Sequence, residues 1–228
     1  MSSNRELINR MRTEFLNDTE GAVESDYKWS TANLASALNS AQNELSKRLL
    51  LLYDSTTESV CRIAVTAVAG VYPQSVALSD KILRVQRLRF PGVARPLEQM
   101  TMERMDQMYP YWESEKGTPD AFMVDLDNFT ITFNRQPTAG GVVSLAVKRL
   151  PLADITENSL TASPEIRQMD DEMIHGALKY AYLKDDLETF DPVRSGVWSK
   201  VFESDIAQIV RNRAAFNPAD TVCRAERF

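Results

Sequence analysis

The spacing of apolar residues along this chain changes twice, and each change predicts a different kind of element. Near the start, Ile8, Met11 and Phe15 recur at helical intervals with Arg5, Arg10 and Arg12 placed toward solvent, which predicts an amphipathic helix over residues 3–17. The polar stretch 18–26 predicts a loop. Ser30, with Trp29 before it, is a hydroxyl N-cap for a long helix whose buried stripe is Leu34, Leu38, Ala41, Leu45, Leu49 and Leu52. Asn39, Gln42, Asn43, Lys47 and Arg48 fall mostly off that stripe. From Thr56 the period drops to two: Val60, Arg62, Ala64 and Thr66 alternate with Cys61, Ile63, Val65 and Ala67. Residues 82–90 predict a further strand, Pro91-Gly92 a turn, and Thr101 caps a short helix through Met108.

The stretch 112–151 is the most legible. Gly117-Thr118-Pro119 is a turn signal, because Pro119 pushes the residue before it into an extended conformation. Residues 121–125 predict a strand and Asp127-Asn128 a tight turn. Phe129, Ile131 and Phe133 alternate with Thr130, Thr132 and Asn134, the mark of a half-buried strand. After a turn over 137–141, residues 142–147 form another strand, which Pro151 stops. Together these predict an antiparallel meander. Helical spacing then returns. Ser163-Pro164-Glu165 predicts a helix start, and Ile166, Met169, Met173, Ala177, Tyr180 and Ala181 make one face through to about residue 188. Asp191-Pro192 repeats the start signal for a last helix carrying Trp198, Phe202, Ile206 and Ile209, ended by Asn217-Pro218.

Terminal helices with one apolar face each must pack on one another. The fold class expected is therefore α+β: a helical bundle formed by the N- and C-terminal helices, residues 1–55 and 160–216, with an antiparallel β module and one short helix inserted at 56–159. Residues 217–228 form an extended C-terminal tail.

Composition narrows the function more by exclusion than by signal. A hydrophobic content of 43% and a charged content of 25% are those of an ordinary globular chain. No apolar run approaches the roughly 20 residues needed to cross a bilayer. The polar N-terminus lacks a signal-peptide pattern, which predicts synthesis in the cytoplasm and no membrane partner. A net charge of −6 argues against a general nucleic-acid binder and leaves room for a local basic patch.

Catalytic vocabulary is sparse. His175 is the only histidine and reads as structural, since no nucleophile is paired with it in the sequence. Cys61 and Cys223 are far apart and read as buried or incidental thiols; with one histidine they leave too few ligands for zinc. Asp125-Leu126-Asp127-Asn128 resembles a piece of a calcium loop but lacks the glycine and the closing glutamate. Gly140-Gly141 is followed by a strand and by no phosphate-loop lysine. The acids at 170–172 and 185–188 read as a solvated helical face. Met100, Met102, Met105 and Met108 suit core filling or a partner surface. No cofactor, metal or catalytic residue is expected, and the chain is not expected to be an enzyme.

The order of these motifs resembles a known family. Tyr27-Lys28-Trp29-Ser30 opening a helix with Leu34, Leu38-Asn39, Ala41-Gln42 and Glu44-Leu45 is similar to the head-to-tail adaptor (connector) proteins of tailed bacteriophages. The likeness continues through Pro96-Leu97, Tyr111-Trp112, the Gly117-Thr118-Pro119 turn, Arg135-Gln136-Pro137, residues 145–151 and the two C-terminal helices, and so covers roughly residues 5–215 as a pattern of spaced residues. It implies a structural virion protein that assembles as a ring, commonly a dodecamer, below the portal. Such a ring extends the DNA channel and offers a platform for tail or nozzle proteins. Portal protein, tail proteins and copies of itself would be the partners, DNA would be passing cargo, and the head–tail junction of the virion would be the location. A virion-associated enzyme such as a peptidoglycan hydrolase, or a monomeric ligand-binding module, are the rival classes.

Two surfaces carry the interaction expectations. Arg84, Arg87, Arg89 and Arg95 are the one basic concentration, spread over both faces of a strand and its turn. They suit either a phosphate-contacting patch or ion pairs with an acidic face of a neighbouring subunit, and the subunit interface is what is expected of them. In the tail, Val222, Arg224, Arg227 and Phe228 suit docking on the portal, against the alternative of a fraying end. A segment with so few apolar anchors does not offset its ordering cost, roughly 1–2 kcal/mol per residue, without a partner.

Overall fold

The computed structural model describes residues 2–18, 27–68, 70–184 and 189–216. The fold is α+β, with N- and C-terminal helices flanking a β region. Two compact units divide the chain: Met1–Leu49 with Pro151–Phe228, and Leu50–Leu150.

In the helical unit, α1 (Asn4–Arg10) opens with a capping box in which the Ser3 hydroxyl accepts from the Glu6 N–H and the Glu6 carboxylate from the Ser3 N–H. It runs on as a π-helix over Met11–Leu16. The wider turn rotates Arg12 away from the solvent side expected for it. Arg12 is buried, donates to the Trp29 carbonyl at 2.8 Å and the Thr31 hydroxyl at 3.0 Å, and lies 3.9 Å over the Tyr27 ring.

Helix α2 (Thr31–Leu49) begins where the Ser30 hydroxyl accepts from the Asn33 N–H. Leu34, Leu38, Ala41, Leu45 and Leu49 are buried along it as expected, and Trp29 is buried before it, whereas Leu52, expected on the same stripe, lies beyond the helix and is half-buried. The stripe is wider than its leucines, because Gln42 and Ser46 are fully buried too. Gln42 is not a surface residue: its side-chain oxygen accepts from the Glu165 N–H.

Helix α5 (Asp170–Ala181) packs against both α2 and α6 (Pro192–Phe216). Here α5 starts seven residues after the Ser163 signal and ends before residue 188. Glu165, expected to support the helix start, instead accepts from the Leu152 and Ala153 N–H groups, and Gln168 takes a left-handed φ of 64° that no helix accommodates. The acids Asp170, Asp171 and Glu172 then fill the true first turn, where the helix dipole favours them. Asp191 behaves as expected, capping α6 by accepting from the Val193 and Arg194 N–H groups. Residues 151–159 join this unit and not the β module: Ile155 donates to Asn39, and the Asn4 side chain donates to the Ser159 carbonyl.

The β unit holds two four-stranded sheets. Leu50 to Asp54 belongs here and not to the bundle, since β1 (Leu52–Asp54) pairs with β8 (Gly141–Arg149). After a single turn of helix, α3 (Glu58–Cys61), the chain enters β2 (Arg62–Val65), which starts two residues later than the alternation suggests. The long central strand β8 takes β1 and β2 along one edge and β4 (Ile82–Arg89) along the other, all antiparallel. The second sheet runs β3 (Ser75–Ala77), β7 (Thr130–Phe133), β6 (Ala121–Asp125), β5 (Glu98–Gln99), with β5 and β6 parallel.

The meander is therefore broken. Strands β6 and β7 form the expected hairpin, but β8 leaves for the other sheet because β3 already occupies the free edge of β7. Gly140 lies on this crossover where a Cβ would come within 2.5 Å of the Val65 carbonyl oxygen and of the Tyr72 ring. Inner residues of both sheets share one core, among them Val85, Leu88, Phe90, Phe122, Ile131, Phe133, Leu145 and Val147. Phe129, expected in β7, is in the preceding turn at φ 49°. A smaller cluster gathers Met100, Met105, Trp112 and Ala121 beside α4 (Met102–Met108), whose Met102 and Met108 are exposed.

Candidate functional site

Strand β4 buries Ile82, Val85 and Leu88, every third residue, which no regular strand does. Two β-bulges account for it: the register against β8 shifts between Ile82 and Arg84 and again between Val85 and Arg87. Each bulge places two residues opposite one and so resets the alternation. As a result Arg84 lies opposite Lys148, Arg87 opposite Ala146 and Arg89 opposite Ser144. All three arginines share the outer face, although the sequence places them on both faces.

That face carries more charge than β4 alone brings. Across β8, Arg62 lies opposite Ser144 and its guanidinium donates to the Ser144 hydroxyl. Tyr53 lies opposite Lys148, whose ammonium is 5.6 Å from the Tyr53 ring centre. The outer face thus reads as rows across three strands: Arg62, Ser144, Arg89; then Ala146, Arg87; then Tyr53, Lys148, Arg84. Five cations occupy a patch about 14 Å long and about 10 Å wide, from the strand rise and strand spacing.

Among the described residues no carboxylate pairs with the four arginines of this patch. Asp54 is the only acid in these four strands, and it is buried on the inner side with Arg149 donating to it at 2.6 Å. Burial would raise the Asp54 pKa, but the Thr57 hydroxyl, the Thr56 and Thr57 N–H groups and Arg149 together hold it well below the usual carboxylate range. Its charge is spoken for inside the unit. Among the described residues Arg62, Arg84, Arg87 and Arg89 are exposed and form no ion pair. Elsewhere the contrast is plain: Arg10 meets Asp171, Arg48 meets Glu203, Arg104 meets Glu98 and Arg135 meets Glu115. Arg84 and Lys148 are set directly opposite across the strand pair, a like-charge placement that strand pairing does not favour.

Arg95 is exposed in the bend after β4 and does not belong to these rows. Val222, Arg224, Arg227 and Phe228, and Cys223 with them, lie outside the described residues. His175 stacks on Trp198 at 5.4 Å and shares a 2.8 Å contact with Asp205, while Phe15 stands edge-on to both rings. Cys61 is buried and unpaired, and burial followed by the Asp54 charge pushes its thiol pKa up to about 11. Asp125 closes the β6–β7 turn by accepting from the Asp127 and Asn128 N–H groups and the Asn128 side chain. Among the described residues no group of three or more His, Cys, Asp or Glu could hold a metal ion, and no helix is long and apolar enough to cross a membrane.

Arg62 and Lys148 were not legible as members of the site. Each is the only charged outward residue of its own strand, and only the three-strand register joins them to the β4 arginines. No protein-family model matches the chain, and no curated protein matches it.

Proposed function

We propose that this chain is a structural head-to-tail adaptor of a tailed-bacteriophage virion, working as a ring below the portal and carrying no catalytic activity. The observation that carries the reading is the architecture: both ends of the chain build one helical unit, and a β unit is inserted at Leu50–Leu150. The spaced residues that carry the resemblance run along both units, from Trp29 to the C-terminal helices. Helices α2 and α6 both pack on α5, a scaffold of the kind a ring subunit needs. A ring of more than two copies closes through heterologous contacts, one surface of each subunit meeting a different surface of the next. Portal protein on one side and tail or nozzle proteins on the other are the partners this role requires, with DNA crossing the lumen and the 217–228 segment reaching the portal.

Electron microscopy of the purified full chain, alone and mixed with portal-bearing heads, tests the proposal. Rings of about twelve subunits with a central opening are the expected result. A chain that stays monomeric at every concentration and fails to bind such heads overturns it.

A further inference from the structure

We infer that the outer face of β1, β2, β4 and β8 binds the phosphodiester backbone of nucleic acid without reading its sequence. The inference goes beyond the adaptor reading, in which DNA only passes and these arginines meet another subunit, and either can fail alone. Three observations carry it. Arg62, Arg84, Arg87, Arg89 and Lys148 point from one sheet face, and no acid occupies an outward position on any of the four strands. The bulges bring Arg84, Arg87 and Arg89 to the face that Arg62 shares, where an external anion can reach all four. Tyr53, 53% exposed at the end of the patch, offers a flat ring on which a base can stack beside the cations.

Charge density separates the two anions that could cover this face. A patch about 14 Å long meets roughly four phosphates of one strand, which are spaced about 3.4 Å apart along the axis. A protein surface would have to bring as many carboxylates into the same area with no cations between them. The chain's own exposed acids do not do so where the structure describes them as paired: Asp171, Glu203, Glu98 and Glu115 each already hold an arginine. The net charge of −6 is no obstacle, since residues 50–150 contain eleven basic and eleven acidic side chains and the excess of acids belongs to the helical unit. Serine and glutamine between the cations, Ser144 and Gln86, add neutral donors suited to phosphate oxygens.

The test uses the full chain and fluorescein-labelled DNA of mixed sequence, about 20 nucleotides long, single-stranded and duplex, followed by anisotropy. With about four phosphates neutralised, affinity for duplex should fall roughly 100-fold between 50 and 200 mM salt, with a slightly shallower slope for the single strand. Replacing Arg84, Arg87 and Arg89 together by Gln should lower affinity at 50 mM salt at least tenfold and cut the salt slope by more than half. Arg87→Gln alone should lower it at least twofold, while Arg5→Gln with Arg211→Gln, on the helical unit, should leave it unchanged. Melting curves establish that each variant is folded. The inference is overturned if neither DNA binds at 50 mM salt, if the triple variant binds as the parent does, or if the control pair weakens binding equally. It is also overturned if the triple variant changes the mass of the assembly by light scattering and leaves DNA binding intact, since the face then belongs to a neighbouring subunit.

Discussion

Asp54 ties the two end strands of the β unit together. It accepts from the Thr57 hydroxyl at 2.7 Å and from Arg149 at 2.6 Å, with the Thr56 and Thr57 N–H groups completing its shell. Its pKa is depressed in the folded chain, so its contribution to stability is present above the ordinary carboxylate value near ~3.9 and is lost as pH falls through the folded value. Asp54→Ala should cost roughly 3–5 kcal/mol at pH 7, because it removes the buried carboxylate that Arg149 and the Thr57 hydroxyl donate to. Urea unfolding at pH 7 and at successively lower pH checks the sign: the gap between parent and variant should narrow below about pH 4. A gap that stays constant into strong acid would show that the carboxylate charge is not what matters. A second position works by volume. A Cβ on Gly176 would meet Phe202 at 2.8 Å and Ala41 at 3.0 Å, where α5 is wedged between α2 and α6. Gly176→Ala, normally a gain in a helix, should therefore lose about 1–3 kcal/mol, and a raised melting temperature would contradict the packing.

At the scale of elements, β4 is the place where stability and the inferred phosphate binding pull apart. Arg84→Thr removes a like-charge opposition and adds a β-branched residue to a strand, and should stabilise the unit by about 0.2–1 kcal/mol. Thermal unfolding decides it, and a lower melting temperature would mean that Arg84 has a structural role after all. The same strand shows where sequence reading stops. Helices α2 and α6 were legible because a cap and a 3.6-residue stripe sit together at Ser30 with Leu34 and at Asp191 with Phe202. The hairpin β6–β7 was legible from Ile131 and Phe133 alternating with threonines. Bulges leave no such local mark, so Arg84, Arg87 and Arg89 read as two-faced. The departure of β8 to another sheet was equally hidden, since strand pairing is decided by which edges are free and not by the strand's own pattern. Arg12 and Gln42 misled for a related reason: polar residues read as surface, and only a buried partner shows otherwise.

At the scale of the whole chain, the β unit has the anatomy of an insertion. Its first strand and its last are paired, Leu52 opposite Arg149, so the chain enters and leaves the unit about 5 Å apart. Its core is its own, drawn from both sheets, with Asp54 and Arg149 locking the two ends beside the exit. Nothing in its hydrogen bonding between strands depends on residues before Leu50 or after Leu150. Residues 50–150 expressed alone should therefore fold, with a cooperative thermal transition and a strand-dominated circular dichroism spectrum. The complementary chain, 1–49 joined to 151–228 by two or three glycines, should also fold, because so short a bridge spans the gap that the paired strands leave. Helical signal and a cooperative melt are the measurements for that half, and α2 packed on α5 supplies the core it needs. If the excised β unit is unfolded while the parent is stable, its sheets draw their stability from the helical unit and the two do not act as separate folding units. If it folds and binds DNA as the full chain does, the cationic face is a property of the insertion alone.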